Sequence, residues 1–322
     1  MFNNFIPWSL RGIDPFLSTY GDYILFRSIQ NTPPITVNPT ASTSIHTIVP
    51  HRYLNAFLLA IKSFLRFYSD VAVYVHDDGS LTPNDIAIIE KHIDQVVILK
   101  RNEADIYFDE KMNDPFLSKV RSSYTSYLKL FDPAFRSKSD RIILLDTDTL
   151  FLKRPDFIID WAKNGGKPWY HLAPKGNMRA VKNINKTQAT GSEHIQTLII
   201  QQLDNINHEL SKNYRIRQGF CAGFIGYNSN DINFEELKKL LENLHRKFSD
   251  KIYKWGSEQT IHGLILCGND AEPLAIDNYF VFTQNNAHLA EQATFLHFVG
   301  ENRFHKLIYP KLARKVIDSL AS

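Results

Sequence analysis

Asp146 and Asp148 are the residues of this chain best placed to do chemistry. They close the run Arg141-Ile142-Ile143-Leu144-Leu145-Asp146-Thr147-Asp148-Thr149-Leu150. Four consecutive apolar residues read as a strand buried on both faces. Side chains alternate along a strand, so this spacing puts both carboxylates on one side of it. Two carboxylates at the carboxyl end of a buried strand make a hard oxygen site for a divalent cation. Open α/β sheets bind ligands at that end, which points to a metal-bound phosphate. An Asp-x-Asp alone also serves as a cap or turn former. The apolar strand before it and Leu150-Phe151-Leu152 after it favour the metal reading.

The elements that must position this pair alternate between strand and helix. Ser44–Val49 reads as a short strand ended by Pro50, and residues 53–67 as a helix with Leu54, Phe57, Leu58, Ile61, Phe64 and Leu65 at helical spacing. Val71–Val75 is a second buried strand with a polar turn, His76 to Ser80, at its carboxyl end. Thr82-Pro83 opens a helix, with proline at the first helical position. Gln95–Leu99 reads as a third strand and residues 115–131 as one helix leading into the aspartate strand. This alternation predicts a parallel, doubly wound α/β sheet.

The regularity weakens after residue 155. Residues 173–192 form a long polar stretch, read either as a solvated surface loop or as a flap over a substrate. Phe220–Tyr227 is a small-residue strand with room for a ligand against its backbone. Phe234–Phe248 is an amphipathic helix. Residues 258–266 suggest another helix, 293–300 a late strand, and 309–322 a terminal helix. Residues 1–43 read as an extension before the main fold, without a clear period; Phe2, Phe5, Ile6 and Trp8 are expected to pack on their own domain.

Composition bounds the function. The chain has 322 residues, 43% of them hydrophobic, enough for a large core. Its net charge of +3 demands neither nucleic acid nor an anionic membrane as partner. Two cysteines give no disulfide framework. No run of about 18 apolar residues is present, so no transmembrane segment is expected. No basic-then-apolar leader is visible. A cytoplasmic location is expected, with peripheral membrane contact left open.

Five pieces occur in a family's order. They are Val49 with Tyr53, Ala60, Lys62 and Ser63; Asp77-Asp78-Gly79-Ser80; Tyr127-Leu128-Lys129-Leu130 with the aspartate run; Glu258-Gln259; and His297-Phe298-Val299-Gly300 with Arg303. With them the chain resembles the GT-A glycosyltransferases, most of all the retaining family 8 that includes glycogenin and the lipopolysaccharide galactosyltransferases. The resemblance covers residues 45 to 306. It implies a GT-A (Rossmann-like) fold with a mostly parallel sheet, residues 44–322 forming one catalytic domain. Its nucleotide-binding half would span about 44–155, and its acceptor and metal-completing half about 156–322.

The same resemblance implies a site. Asp146, Asp148 and His297 would hold Mn²⁺ or Mg²⁺, and the imidazole tilts the choice toward Mn²⁺. Tyr53 would stack on the base of a UDP-sugar, with Asp77, Asp78 and Thr147 also on the nucleotide side. Gly300 and Arg303 would receive the diphosphate. Gln259 would lie under the anomeric carbon, and Glu258 would bond sugar hydroxyls. The implied reaction is hexose transfer with retention to an acceptor hydroxyl on a glycan, lipid-linked sugar, protein or small molecule. Three positions depart from the pattern: Pro50 where an Asp is usual, Cys221 where an Asn is usual, and Tyr127 where an Arg is usual. Two alternatives follow, a catalytically silent sugar-nucleotide or glycan binder and a sugar-phosphate nucleotidyltransferase. The latter usually carries a Gly-rich basic loop that is not seen here.

Overall fold

The computed structural model describes residues 13–173, 195–217, 219–300 and 303–321. Among the described residues there are twelve strands: β1 (Ile35–Thr36), β2 (Thr43–Val49), β3 (Ala72–Asp77), β4 (Ile93–Asp94), β5 (Val97–Leu99), β6 (Arg141–Leu145), β7 (Thr149–Phe151), β8 (Trp169–Leu172), β9 (Phe220–Asn228), β10 (Glu272–Pro273), β11 (Tyr279–Val281) and β12 (Phe295–His297). Ten of them form one sheet in the order β5-β3-β2-β6-β9-β8-β11-β12-β7, with β10 beside β8. β5, β3, β2 and β6 run parallel. β9 is antiparallel to both β6 and β8, and β7 is antiparallel to β12. The mostly parallel α/β sheet read from the sequence is the one observed.

The aspartate strand behaves as its composition requires. Ile143 and Leu145 enter the apolar cluster on one face of the sheet, and Ile142 and Leu144 enter the cluster on the other. Helix Leu54–Leu65 is buried along its whole length against the first face. Helix Pro83–His92 begins as predicted: Thr82 accepts from the Asp85 N–H while Asp85 accepts from the Thr82 N–H, a capping box that satisfies two orphan donors. Phe234–Phe248 and Ile308–Ala321 are helices as expected.

One expectation needs correction, and several elements were not read from the sequence. Residues 115–131 are not one helix. Tyr124 adopts an extended conformation and divides helix Pro115–Ser123 from helix Leu128–Arg136. The Ser122–Ser126 stretch is rich in poor helix formers. Helix Arg101–Met112 was not anticipated, because it buries only Ala104 and Phe108 and shows almost no apolar stripe. The N-terminal segment is structured: Ile13–Leu25 is a helix, and β1 pairs with β4. That helix lacks a readable period because Gly21 and Asp22 face inward, while Phe16, Tyr20, Tyr23 and Ile24 stay exposed. Strands β8, β10 and β11 and helices Ile195–Gln201 and Leu203–Leu210 were also unread. Phe2, Phe5, Ile6 and Trp8, and nearly all of the 173–192 stretch, lie outside the described residues.

Candidate active site

The two aspartates do not lie on a strand. β6 ends at Leu145 and β7 begins at Thr149, so Asp146, Thr147 and Asp148 form the turn between them. Strand alternation therefore does not bring the carboxylates together; backbone bonds to two other strands do. The Asp146 N–H donates to the Gly223 carbonyl of β9 at 2.8 Å, and the Phe298 N–H, just past β12, donates to the Asp148 carbonyl at 2.8 Å. The Thr149 hydroxyl donates to the Asp146 carbonyl at 2.8 Å. The β7–β12 register sets His297 opposite Thr149. His297 Nε2 thereby reaches 3.1 Å from Asp148 Oδ1 and 3.7 Å from Asp146 Oδ2. One ligand atom from each of the three residues lies within 4.8 Å of the others.

This cluster exists only because Gly223 has no side chain. A Cβ there would stand 2.1 Å from His297 Cε1, 2.7 Å from Nδ1 and 2.9 Å from Asp146 Oδ2. The space expected for a ligand beside the small-residue strand is filled at Gly223 by the imidazole of His297.

The site is strongly charged. Burial alone would raise the Asp148 carboxyl, but His297 and Arg303 hold it well below the usual carboxylate range. Burial would lower His297, but the Asp148 charge pushes it up to about 10. Lys129 pairs with Asp146, and that carboxylate outweighs burial and holds the ammonium up. Arg303 gives Nη2 to Asp148 Oδ2 at 2.7 Å, Nη1 to Asp22 Oδ2 at 2.6 Å and Nε to the Phe298 carbonyl at 3.0 Å. Its guanidinium also lies over the Tyr53 ring, 5.2 Å from the centroid. The Arg52 guanidinium also lies over the Tyr53 ring, 4.6 Å from the centroid.

Lys129 and Asp22 were missed as site residues. Lys129 carried a signal, a cation between Leu128 and Leu130 just before the aspartate strand. Asp22 carried none, because only the fold brings the N-terminal helix to Arg303.

The remaining expected residues divide. Gly300 has φ +62° and open space where a Cβ would be, so it leaves the backbone accessible. Gln259 Oε1 accepts from the Ala222 N–H at 3.4 Å, which sets it beside the Gly223 peptide. Thr147 is buried in the turn. Glu258 is buried and bonds His262 Nδ1 at 2.7 Å, one turn along its own helix. Asp77 and Asp78 shape the loop after β3. Asp77 Oδ1 accepts from the Gly79 and Leu81 N–H groups at 2.8 and 3.1 Å, and Asp78 Oδ1 from Ser80.

The departure at Tyr127 finds a structural explanation, and the nearby Arg121 does not take over the missing arginine's place. The buried Tyr127 hydroxyl donates to the Ile252 carbonyl at 2.5 Å. Arg121 is locked between Asp132 and Asp105, away from the carboxylate site. A second departure, Cys221, lies 3.7 Å from His297 Nδ1. Burial would raise this thiol, but His171 and His297 pull it down to about 5.

The fold is the GT-A fold of glycosyltransferases. The bifunctional glycosyltransferase WbbM matches 88% of this chain with a TM-score of 0.54 at 12% identity. The match covers 51% of WbbM, so this chain spans about half the length of that protein. LgtC, solved as an active-site mutant, is similar over 87% of this chain and 96% of its own, with a TM-score of 0.49 and 14% identity. GlyE of Streptococcus pneumoniae is similar over 86% of this chain and 62% of its own, with a TM-score of 0.48 and 11% identity. No family model and no curated protein matches the sequence. Among the described residues, no helix is long and apolar enough to cross a membrane.

Proposed function

We propose that this chain is a metal-dependent glycosyltransferase that moves a hexose from a UDP-sugar to an acceptor hydroxyl with retention of configuration. The observation that carries this reading is the convergence of Asp146, Asp148 and His297 in the turn after β6 on a GT-A sheet.

The donor set fits a divalent cation. Metal–ligand bonds of about 2.1 Å put neighbouring octahedral ligands about 3 Å apart, and His297 Nε2 stands 3.1 Å from Asp148 Oδ1. Two carboxylates and an imidazole suit Mn²⁺ better than Mg²⁺. When bound, the cation supplies Lewis-acid stabilisation of the leaving diphosphate.

The chain's own residues supply the rest. Gly300 gives a backbone that phosphates can approach, and Arg303 offers a planar fork matched to phosphate oxygens. With a cation held by Asp148, Arg303 would keep Asp22 and the Phe298 carbonyl and could offer Nη2 to a phosphate oxygen. Lys129 neutralises the outer oxygen of Asp146 and keeps that carboxylate aimed into the site. Gln259, fixed by Ala222, offers its amide to the donor sugar. Glu258 acts through His262 and the negative charge it places near Lys129. Front-face attack, in which the leaving diphosphate accepts the acceptor proton, needs no strong protein base beside the donor.

The test is thermal unfolding with Mn²⁺ and a panel of nucleotide-sugars, followed by assay of UDP release. A ligand that binds only the native chain raises its stability. A Mn²⁺-dependent shift with one UDP-sugar, and release of UDP from it, supports the reading. No shift with any sugar-nucleotide would overturn it.

A further inference from the structure

His297 presents its two ring nitrogens to two different groups of ligands. Nε2 faces Asp146 and Asp148, whereas Nδ1 faces His171 Nε2 at 3.1 Å and Cys221 Sγ at 3.7 Å. We propose that His171 Nε2, Cys221 Sγ and His297 Nδ1 form a second metal site, one for a thiophilic divalent cation of the Zn²⁺ class.

The distances suit such an ion. Zn–N bonds of about 2.0–2.1 Å and Zn–S bonds of about 2.3 Å set tetrahedral neighbours about 3.3 Å (N to N) and about 3.6 Å (N to S) apart. The two separations from His297 Nδ1, 3.1 and 3.7 Å, match these spacings closely, and all three ligand atoms lie within 4.8 Å of one another. Two imidazoles and a thiolate are a soft donor set, and such a set selects Zn²⁺ over Mn²⁺. Three protein ligands leave a fourth position open to water.

The backbone builds this group. His171 is paired opposite Cys221, and the β8–β9 register breaks between Tyr170 and His171. Tyr170 pairs with Ile225, so Ala222, Gly223 and Phe224 are accommodated in one step of β8. An irregularity of this kind re-aims side chains. His171 Nδ1–H donates to the Phe224 carbonyl at 3.1 Å, which leaves the Nε2 lone pair directed at the cluster. Metal-binding histidines are oriented by such second contacts. All three residues are buried, so the group is held by the core.

Metal at Nδ1 leaves the His297 proton on Nε2, the nitrogen facing Asp148. One neutral ring therefore cannot serve both sites at once. That consequence rests on the glycosyltransferase reading; the thiolate site itself does not.

Cobalt(II) reports the site directly, because a cobalt–thiolate bond gives charge-transfer absorption in the near ultraviolet and tetrahedral geometry gives intense visible bands. One equivalent of Co²⁺ added to the purified chain is expected to produce both. Cys221→Ser should lose the charge-transfer band and His171→Ala should weaken it. Cys267→Ser and Asp146→Asn should keep it, with circular dichroism showing each variant folded. Absence of the band in the folded wild-type chain, or its survival in Cys221→Ser, overturns the proposal. Cobalt bound without the band, and released by Asp146→Asn, places the metal at the carboxylates alone. That result ends the thiolate site while leaving the glycosyltransferase reading standing.

Discussion

His297 Nε2 lies 3.1 Å from Asp148 Oδ1, although 149 residues separate the two in sequence. The antiparallel pairing of β7 with β12 and the Phe298-to-Asp148 backbone bond hold them together. The proposed cation site is thus set by the β7–β12 pairing, and substitutions that disturb that pairing should act on it.

Gly223→Ala tests that coupling. The new Cβ would strike the His297 ring and Asp146 Oδ2. Overpacking of this kind costs about 1–3 kcal/mol, and displacement of His297 should lower Mn²⁺ affinity by tenfold or more, a loss of at least about 1.4 kcal/mol. Urea unfolding and calorimetric Mn²⁺ titration measure the two effects. Unchanged Mn²⁺ affinity would mean that His297 is not a ligand.

Arg303→Ala should act on both stability and binding. It leaves Asp22 and Asp148 buried without their shared cation, a loss on the scale of about 3–5 kcal/mol for a broken buried pair. Diphosphate affinity should fall by about 1.5–3 kcal/mol, the scale for a hydrogen bond to a charged group. Binding of UDP to a variant verified as folded separates the two. Full retention of UDP affinity would remove Arg303 from the diphosphate site.

Lys62 gives the fold a defined alkaline response. Its ammonium is buried on helix Leu54–Leu65 and donates to Thr32 Oγ1 at 2.6 Å and the Pro33 carbonyl at 2.5 Å, tying the N-terminal segment to the core. Burial pulls Lys62 down to about 8. An unfolded lysine titrates near about 10.4, so between these values the unfolded chain holds more protons and stability rises with pH. On the acid side, burial and the Lys62 charge hold His92 down to about 4. Stability therefore falls as pH drops from about 6.5 toward 4. Lys62→Met should abolish the alkaline rise in urea midpoint seen in the wild type between pH 8 and 10.4. An identical rise in the variant would contradict the assignment.

What the sequence disclosed was local. The β6 strand was legible because Ile142–Leu145 is apolar on both faces, and the Pro83 helix because Thr82 and Asp85 form its cap. Asp146, Asp148, His297 and Arg303 were legible as a set because their motifs survive, and the structure brings all four into contact. The reason given for the aspartates' convergence was wrong, since a turn bonded to Gly223 and Phe298 does the work that strand alternation was expected to do. Asp22 and His171 could not be read at all. One sits on a helix that exposes Phe16, Tyr20, Tyr23, Ile24 and Leu25, the other on a four-residue strand defined by its pairing with β9, β10 and β11.

The central claim is that Asp146, Asp148 and His297 bind a divalent cation together with a sugar-nucleotide. Calorimetric titration of UDP-sugars into the wild-type chain and into Asp148→Asn, each with and without Mn²⁺, tests it most directly. Mn²⁺-dependent binding is expected in the wild type and none in a folded Asp148→Asn chain. Equal sugar-nucleotide affinity in both proteins, or binding indifferent to Mn²⁺, would contradict it.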